Sequence, residues 1–314
     1  MFVTEHLDRA TETLFSYEII PPPRGRSARD ILDIVDRLAP YSPPFIDVTS
    51  HGAIAEYETL QDGTVRRLVC QKRPGTISIC GIIQNRFGID TVPHLLCHGF
   101  TREETEDAMI ELAFLGIHNV LAIRGDETNY EKPIGIGRTV NPYCSDLVAQ
   151  LAALRRGSYL EDIANSEPID MCIGVGGYPE KHVEAPNFKS DLAFLKNKVD
   201  AGADYIVTQM FFDNQAFFDF VQACRDVGIT VPIIPGLKVI HSRRHLSLLP
   251  KTFHVNLPDE LVDQITEEPK RARSIGVDWA VRQGEELIAS GVPCIHFFVV
   301  NDVSSVTRVI KRLR

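Results

Sequence analysis

A glutamate inside an apolar segment is the first residue whose placement suggests chemistry. Glu18 lies in Phe-Ser-Tyr-Glu-Ile-Ile-Pro-Pro-Pro, residues 15–23. Burying its carboxylate between Tyr17 and Ile19 without a partner is costly. Desolvation would raise its pKa and make it a proton donor near neutral pH. The plain alternative is a solvated glutamate at a strand end. Ala-Ile-Arg-Gly-Asp-Glu (122–127) joins an apolar run to a turn. Arg124 can present a charged fork to phosphate or carboxylate. Gly125 permits close backbone approach, and Asp126 can accept a hydrogen bond from a heterocycle N–H. A turn held by an Arg–Asp pair would leave the same trace.

The segment 174–188, Gly-Val-Gly-Gly-Tyr-Pro-Glu-Lys-His-Val-Glu-Ala-Pro-Asn-Phe, has three glycines in four positions. That density fits a flat ligand or another backbone packed close by. Tyr178 adds an aromatic face with a hydroxyl, and His182 and Glu184 follow. Asp191 and Lys198 fall on one face of the next helix, where they could hold ribose and pyrophosphate or simply form a solvated charge pair. In Thr-Gln-Met-Phe-Phe-Asp (208–213), Gln209 offers both donor and acceptor to a heterocycle edge. Phe211 and Phe212 could stack on a planar ring, although phenylalanines there are more often plain core. His94 and His98 stand four apart on a strand end and loop, a spacing that does not align metal ligands as a helix would, so no metal is expected.

Eight segments read as strands: 14–19, 45–49, 92–97, 119–123, 171–176, 205–209, 232–235 and 294–299. They are nearly continuous in apolar residues, as parallel strands covered on both faces are. Helical spacing separates them. Thr101 and Glu104 make a capping box, Ser145 and Asp213 are further candidate caps, and Gly116, Gly202, Gly228 and Gly291 are expected left-handed helix stops. Eight such units in about 300 residues predict a single-domain α/β fold over 1–314, a (β/α)8 TIM barrel. An open doubly wound sheet would favour a glycine-rich turn after the first strand, where prolines stand instead. Residues 74–91 fit no clean unit and read as an extra strand or an elaborated loop. In a barrel the site lies at the C-terminal strand ends, which here carry Glu18, Asp47 with Thr49, His94 with Cys97, Arg124 to Asp126, Gly176 to Tyr178, Thr208 with Gln209, and His296 with Asn301.

The 314 residues include 33 basic and 42 acidic side chains, a formal net charge of −9. This argues against a broad nucleic-acid or anionic-lipid footprint. No apolar run reaches membrane-spanning length, and the first fifteen residues lack a secretory pattern. Seven scattered cysteines without a Cys-x-x-Cys pair read as reduced thiols of a cytoplasmic protein.

The set FSYEIIPPP, DVTSHGA, PHLLC, AIRGD, GYPEKHVEA, DLAFLKNKVDAGADYIVTQMFFD, PIIPG and HFFVVN, in this order over roughly residues 14–310, resembles the methylenetetrahydrofolate reductase family. The resemblance implies a (β/α)8 flavoprotein. It would reduce 5,10-methylenetetrahydrofolate to 5-methyltetrahydrofolate in one-carbon metabolism and methionine supply, using FAD reduced by NADH or NADPH. It also implies a homo-oligomer and, since the chain stops after the barrel, the bacterial form without a regulatory domain. By the same resemblance Glu18 is the general acid that opens the folate ring to an iminium, and Asp126 is the catalytic aspartate near flavin and pterin. Thr49, Ser50, Ala53, His94, Arg124, Gly125 and Asp126 fall on FAD-contacting positions. So do Tyr143, Cys144, Tyr178, His182, Ala185, Asp191 and Lys198. Asp126, Gln209 and His245 fall on substrate positions.

Several residues depart from the family pattern. Ser50-His51-Gly52-Ala53 replaces Tyr-Gly-Ala, and Phe194 and Asn197 replace Asn and Arg. Phe298 replaces a tyrosine, and Asp302 replaces an arginine that meets the folate tail. Pro-Gly-Ile-x-Pro becomes Pro235-Gly-Leu-Lys-Val239. The competing expectations are a folate-binding or methyl-handling barrel without flavin chemistry, and a different flavin barrel oxidoreductase such as a proline-oxidising type.

Overall fold

The computed structural model describes all residues except Lys72, Asp126–Asn129 and Asn301. Eight parallel strands close into a barrel: β1 (Leu14–Ile19), β2 (Phe45–Val48), β5 (Asp90–Leu96), β6 (Asn119–Ile123), β7 (Cys172–Gly177), β8 (Tyr205–Met210), β9 (Ile233–Leu237) and β10 (Cys294–Val300). Neighbours follow chain order, and β10 pairs with β1 to complete the circle. The eight expected strands are all present, with 14–19 and 119–123 matched at both ends and the others shifted by one or two residues.

Each strand sends alternate side chains to opposite faces. The outward set (Phe15, Tyr17, Ile19, Ile46, Val48 and their counterparts) packs under the helices as the main core. The inward set forms a second cluster of Phe45, Val92, Leu121, Cys172, Tyr205, Val207, Ile234 and Cys294. Helix α1 (Val3–Arg9) closes the N-terminal end of the barrel by adding Val3 and Leu7 to that cluster. The C-terminal rim is left for the βα loops.

Helices α4 (Arg102–Phe114) and α7 (Asn214–Asp226) start at the caps the sequence specifies. Thr101 Oγ1 accepts from the Glu104 amide at 3.2 Å, and Asp213 accepts from the Gln215 amide at 2.9 Å. Helix α5 (Cys144–Leu154) corrects the expected Ser145 cap, because its N-cap is Tyr143, two residues earlier. The Asp146 carboxylate takes the Tyr143 amide at 3.0 Å, so an acid inside the first turn satisfies the end. Gly116, Gly202, Gly228 and Gly291 all have positive φ, as helix stops do.

Residues 74–91 are corrected as well. They hold helix α3 (Thr76–Phe87), stopped by Gly88 at φ +65°, and then the start of β5. β-Branched residues and Gly81 weaken its intrinsic helix signal. Tertiary packing overrides this, since a Cβ at Gly81 would meet Leu115 at 3.3 Å. Between β2 and α3 the chain adds a hairpin, β3 (Ile54–Thr59) against β4 (Val65–Cys70). Asp62-Gly63 between two alternating runs is its signature, and the sequence reading missed it. Most of its side chains are exposed on both faces, so it shows no clean buried period. The other helices are α2 (Ala28–Leu38), α6 (Phe188–Ala201), α8 (His245–Phe253), α9 (Asp259–Glu267), α10 (Ala272–Ala289) and α11 (Val303–Leu313). Among the described residues no helix is long and apolar enough to cross a membrane.

Candidate active site

Inside the barrel, towards its C-terminal rim, the apolar filling gives way to a connected polar set. Ser16 and Glu18 point inward from β1, Asp47 from β2, His94 from β5 and His296 from β10. Glu18 lies level with Asp47 on one side and Phe298 on the other. His94 Nε2 is 3.8 Å from Glu18 Oε2 and 3.5 Å from Asp47 Oδ2. His296 Nδ1 is 3.9 Å from Asp47 Oδ1 and 2.9 Å from Ser16 Oγ. Asp47 is fully enclosed, and Glu18 retains 14 % of its side-chain exposure, facing the mouth.

Burial sets the electrostatics. It pushes the Glu18 carboxyl up to about 7; nearby Asp47 pushes the same way, against His94 and Lys238. Burial also pushes Asp47 up to about 7, opposed by His296. Both imidazoles are held below their ordinary range by desolvation. Near neutrality the set therefore contains carboxyls poised to exchange protons beside neutral histidines. That is the condition for acid–base work at pH 7. Both Asp47 oxygens and His94 Nε2 are buried without a hydrogen-bond partner among the described residues. Such orphans concentrate at functional sites.

The neighbouring rim sector, after β5, β6 and β7, is cationic. Arg124 pairs with Glu184 and donates from Nε to His98 at 3.2 Å. Lys198, one turn before the end of α6, donates to the Gly176 carbonyl at 2.6 Å. Lys181 holds the His182 and Ala185 carbonyls at 2.9 and 2.7 Å. Arg124, Lys181 and Lys198 all act on His182, whose pKa is lowered by burial first, with Asp191 opposing. Asp191 accepts the His182 amide at 2.9 Å, and Tyr178 meets the His182 ring edge-on at 4.5 Å. Among the described residues, the only atom within 4 Å of a Cβ built on Gly176 is the Tyr178 hydroxyl, so they leave the space above this strand end open. Cys144 donates its thiol to the Ala122 carbonyl at 3.1 Å, tying α5 to the end of β6. Tyr143 is exposed on the rim, and buried Ala185 closes the loop. Converging cations beside an open, flat backbone can hold a phosphorylated planar group.

The remaining candidates distribute as follows. Thr49 Oγ1 lies 3.0 Å from His51 Nε2, with Ser50 and Ala53 half-buried in the same loop. Gly125 has φ +87° beneath Leu96. Gln209 Oε1 accepts the Met210 amide at 2.9 Å, at a break in the β8–β9 register. His245 begins α8; its ring is 4.2 Å from His241, and burial first, then His241, lowers its pKa to about 4. Phe211 and Phe212 are core rather than ring-stacking residues: both are enclosed, and Phe211 stacks on Phe217 at 5.3 Å. Asp126 and Asn301 lie outside the described residues. The sequence reading missed Ser16 as a partner of His296. It also gave no role to Lys238, which follows Gly236 inward at period two. That alternation was the available signal.

A closed parallel barrel whose polar residues gather at the C-terminal rim, with a carboxyl acid among them, has the layout of a barrel enzyme. The sequence narrows this further. The family described as methylenetetrahydrofolate reductase matches residues 3–314, and the chain belongs to that family. It is 32% identical over 315 residues to methylenetetrahydrofolate reductase 1 of Schizosaccharomyces pombe, covering 98% of this chain and 47% of that one. It is 30% identical over 289 residues to 5,10-methylenetetrahydrofolate reductase of Escherichia coli, covering 91% and 86%. The chain thus spans about half the length of the yeast and plant relatives it matches. Among solved structures, an uncharacterized protein from Clostridium thermocellum that binds two copies of 5-methyl-5,6,7,8-tetrahydrofolic acid shares the fold. Its TM-score is 0.59 at 14% identity, over 100% of this chain and 98% of that one.

Proposed function

We propose that residues 1–314 form one catalytic unit that reduces 5,10-methylenetetrahydrofolate to 5-methyltetrahydrofolate, using FAD and a nicotinamide nucleotide in the cytoplasm. The observation that carries this reading is Glu18, a carboxyl held near neutrality by burial at the barrel mouth, in a chain of this family. The residues present fit a flavin dinucleotide. The cations around His182 suit a pyrophosphate, and the open strand end at Gly176 suits a flat ring.

In this reading Arg124, His182 and Lys198 hold the pyrophosphate, with Asp191 near the ribose. Thr49, Ser50, Ala53, Gly125, Tyr143, Cys144, Tyr178 and Ala185 line the rest of the cofactor position. The bound flavin would supply hydride to the one-carbon unit. Glu18, whose midpoint near 7 keeps a large share of it protonated at neutral pH, gives its proton to the folate nitrogen, and the five-membered ring opens to a cationic iminium. His94 and Asp47 lie behind Glu18 and modulate a proton affinity that burial sets first. Asp126 is proposed to stabilise the cation, and Gln209 and His245 to orient the folate.

The test is anaerobic. The purified protein should bind FAD, bleach with NADH or NADPH, and regain its absorbance when methylenetetrahydrofolate is added, with methyltetrahydrofolate as product. A protein that binds no FAD, or whose reduced flavin ignores the folate, would overturn the reading.

A further inference from the structure

Lys238 follows β9 at the barrel mouth, and only 7 % of it is exposed. Its Nζ donates to the Phe298 carbonyl at 2.7 Å and the Val299 carbonyl at 3.3 Å. Those carbonyls sit at an irregularity. Glu18 pairs with Phe298 but Ile19 pairs with Val300, so Val299 is an extra residue in β10. Val300 then takes φ +57°, a conformation a β-branched residue adopts only when its surroundings impose it. An ammonium binding two successive carbonyls at a bulge is a means of imposing it. The same bulge places the Phe298 ring over Gly236, where a Cβ would come within 2.6 Å of it.

We propose that Lys238 is a positioning residue for Glu18: it pins the β10 bulge that flanks the acid and, while protonated, presents a positive charge to it. The inference rests on the reading of Glu18 as the proton donor. Glu18 is faced by His94 from β5, Asp47 from β2 and Lys238 from the end of β9. Burial lowers the Lys238 ammonium to about 8, opposed by Glu18 and Asp302, with His241 and His245 close on the outer side. Asp302 is itself bound by Arg273 at 2.8 Å, which leaves Glu18 as the carboxyl facing Lys238 that no arginine holds among the described residues.

The test reads Glu18 directly. In the FAD-loaded full chain carrying carboxyl-labelled glutamate, its infrared titration is identified as the band missing in Glu18→Gln. Lys238→Met should raise the Glu18 midpoint by about one pH unit or more, because a cation favours the carboxylate. The alkaline fall of the folate half-reaction should move up by the same interval, with nicotinamide-driven flavin reduction retained. Lys238→Arg should restore the midpoint. If Lys238→Met does not fold, Lys238→Gln replaces it with the same expectation. A variant that lowers Tm but leaves the Glu18 midpoint in place would make Lys238 merely structural. So would Lys238→Arg shifting the midpoint as far as methionine does. The midpoint can be read whether or not the protein reduces folate, so failure here is distinct from failure of the proposed reaction.

Discussion

Asp47 Oδ2 lies 3.5 Å from His94 Nε2, both groups are enclosed, and neither atom makes a hydrogen bond among the described residues. At that separation the buried acid and the buried base influence each other through charge and not through a hydrogen bond. The proton distribution is therefore sensitive to any charge brought in beside Glu18, 3.8 Å away on the other side of the imidazole.

Stability should carry the signature of that burial. The Asp47 carboxyl rises from 3.8 to about 7 on folding, so the unfolded chain ionises it first. Its stabilising effect is complete below the unfolded value and is lost as pH rises through about 7. Asp47→Asn removes that loss. Its Tm should exceed wild type by roughly 2–6 °C at pH 8 and converge with it near pH 4. Melting curves at the two pH values check this; parallel profiles would contradict it.

Glu18→Gln should retain flavin reduction by the nicotinamide and lose folate reduction by roughly 100-fold or more, the scale of a general acid. In wild type the folate half-reaction should fall as pH rises above about 7, where Glu18 gives up its proton. Stopped-flow measurement of each half-reaction separates the two steps. Loss confined to the nicotinamide step would reverse the role given to Glu18.

Lys198→Ala removes a 2.6 Å bond to the Gly176 carbonyl and one of the cations around His182. The FAD dissociation constant should rise roughly tenfold, in line with one charged hydrogen bond. Fluorescence titration of the stripped protein reads it, and unchanged binding would place the pyrophosphate elsewhere.

Tyr205 fills the space inside β7, where a Cβ on Gly174 would come within 2.3 Å of its ring. Its hydroxyl is buried and makes no hydrogen bond among the described residues. Tyr205→Phe should therefore leave stability within about 1 kcal/mol of wild type or raise it. Gly174→Ala should cost roughly 1–3 kcal/mol by overpacking. Chemical denaturation of both variants tests the pair, and a large loss in Tyr205→Phe would reveal a partner for the hydroxyl.

Much of this was legible in the chain. The eight strands stood out because parallel strands covered on both faces must be apolar almost throughout, and the glycine stops and the Thr101 and Asp213 caps marked the helices between them. Glu18 stood out because an acid inside such a strand contradicts its surroundings. Local sequence determines these features, since strand burial, helix caps and left-handed stops depend on a few neighbouring residues. The α3 helix was not legible, because Gly81 and its β-branched neighbours weaken the local signal and packing against Leu115 decides the outcome. Nor was the meeting of Asp47, His94, His296 and Ser16, or the reach of Lys238 to the β10 bulge. Those contacts join residues as many as 280 positions apart. Only closure of the barrel sets which inward-facing side chains share a level, and with it which charges raise or lower the acid at its mouth.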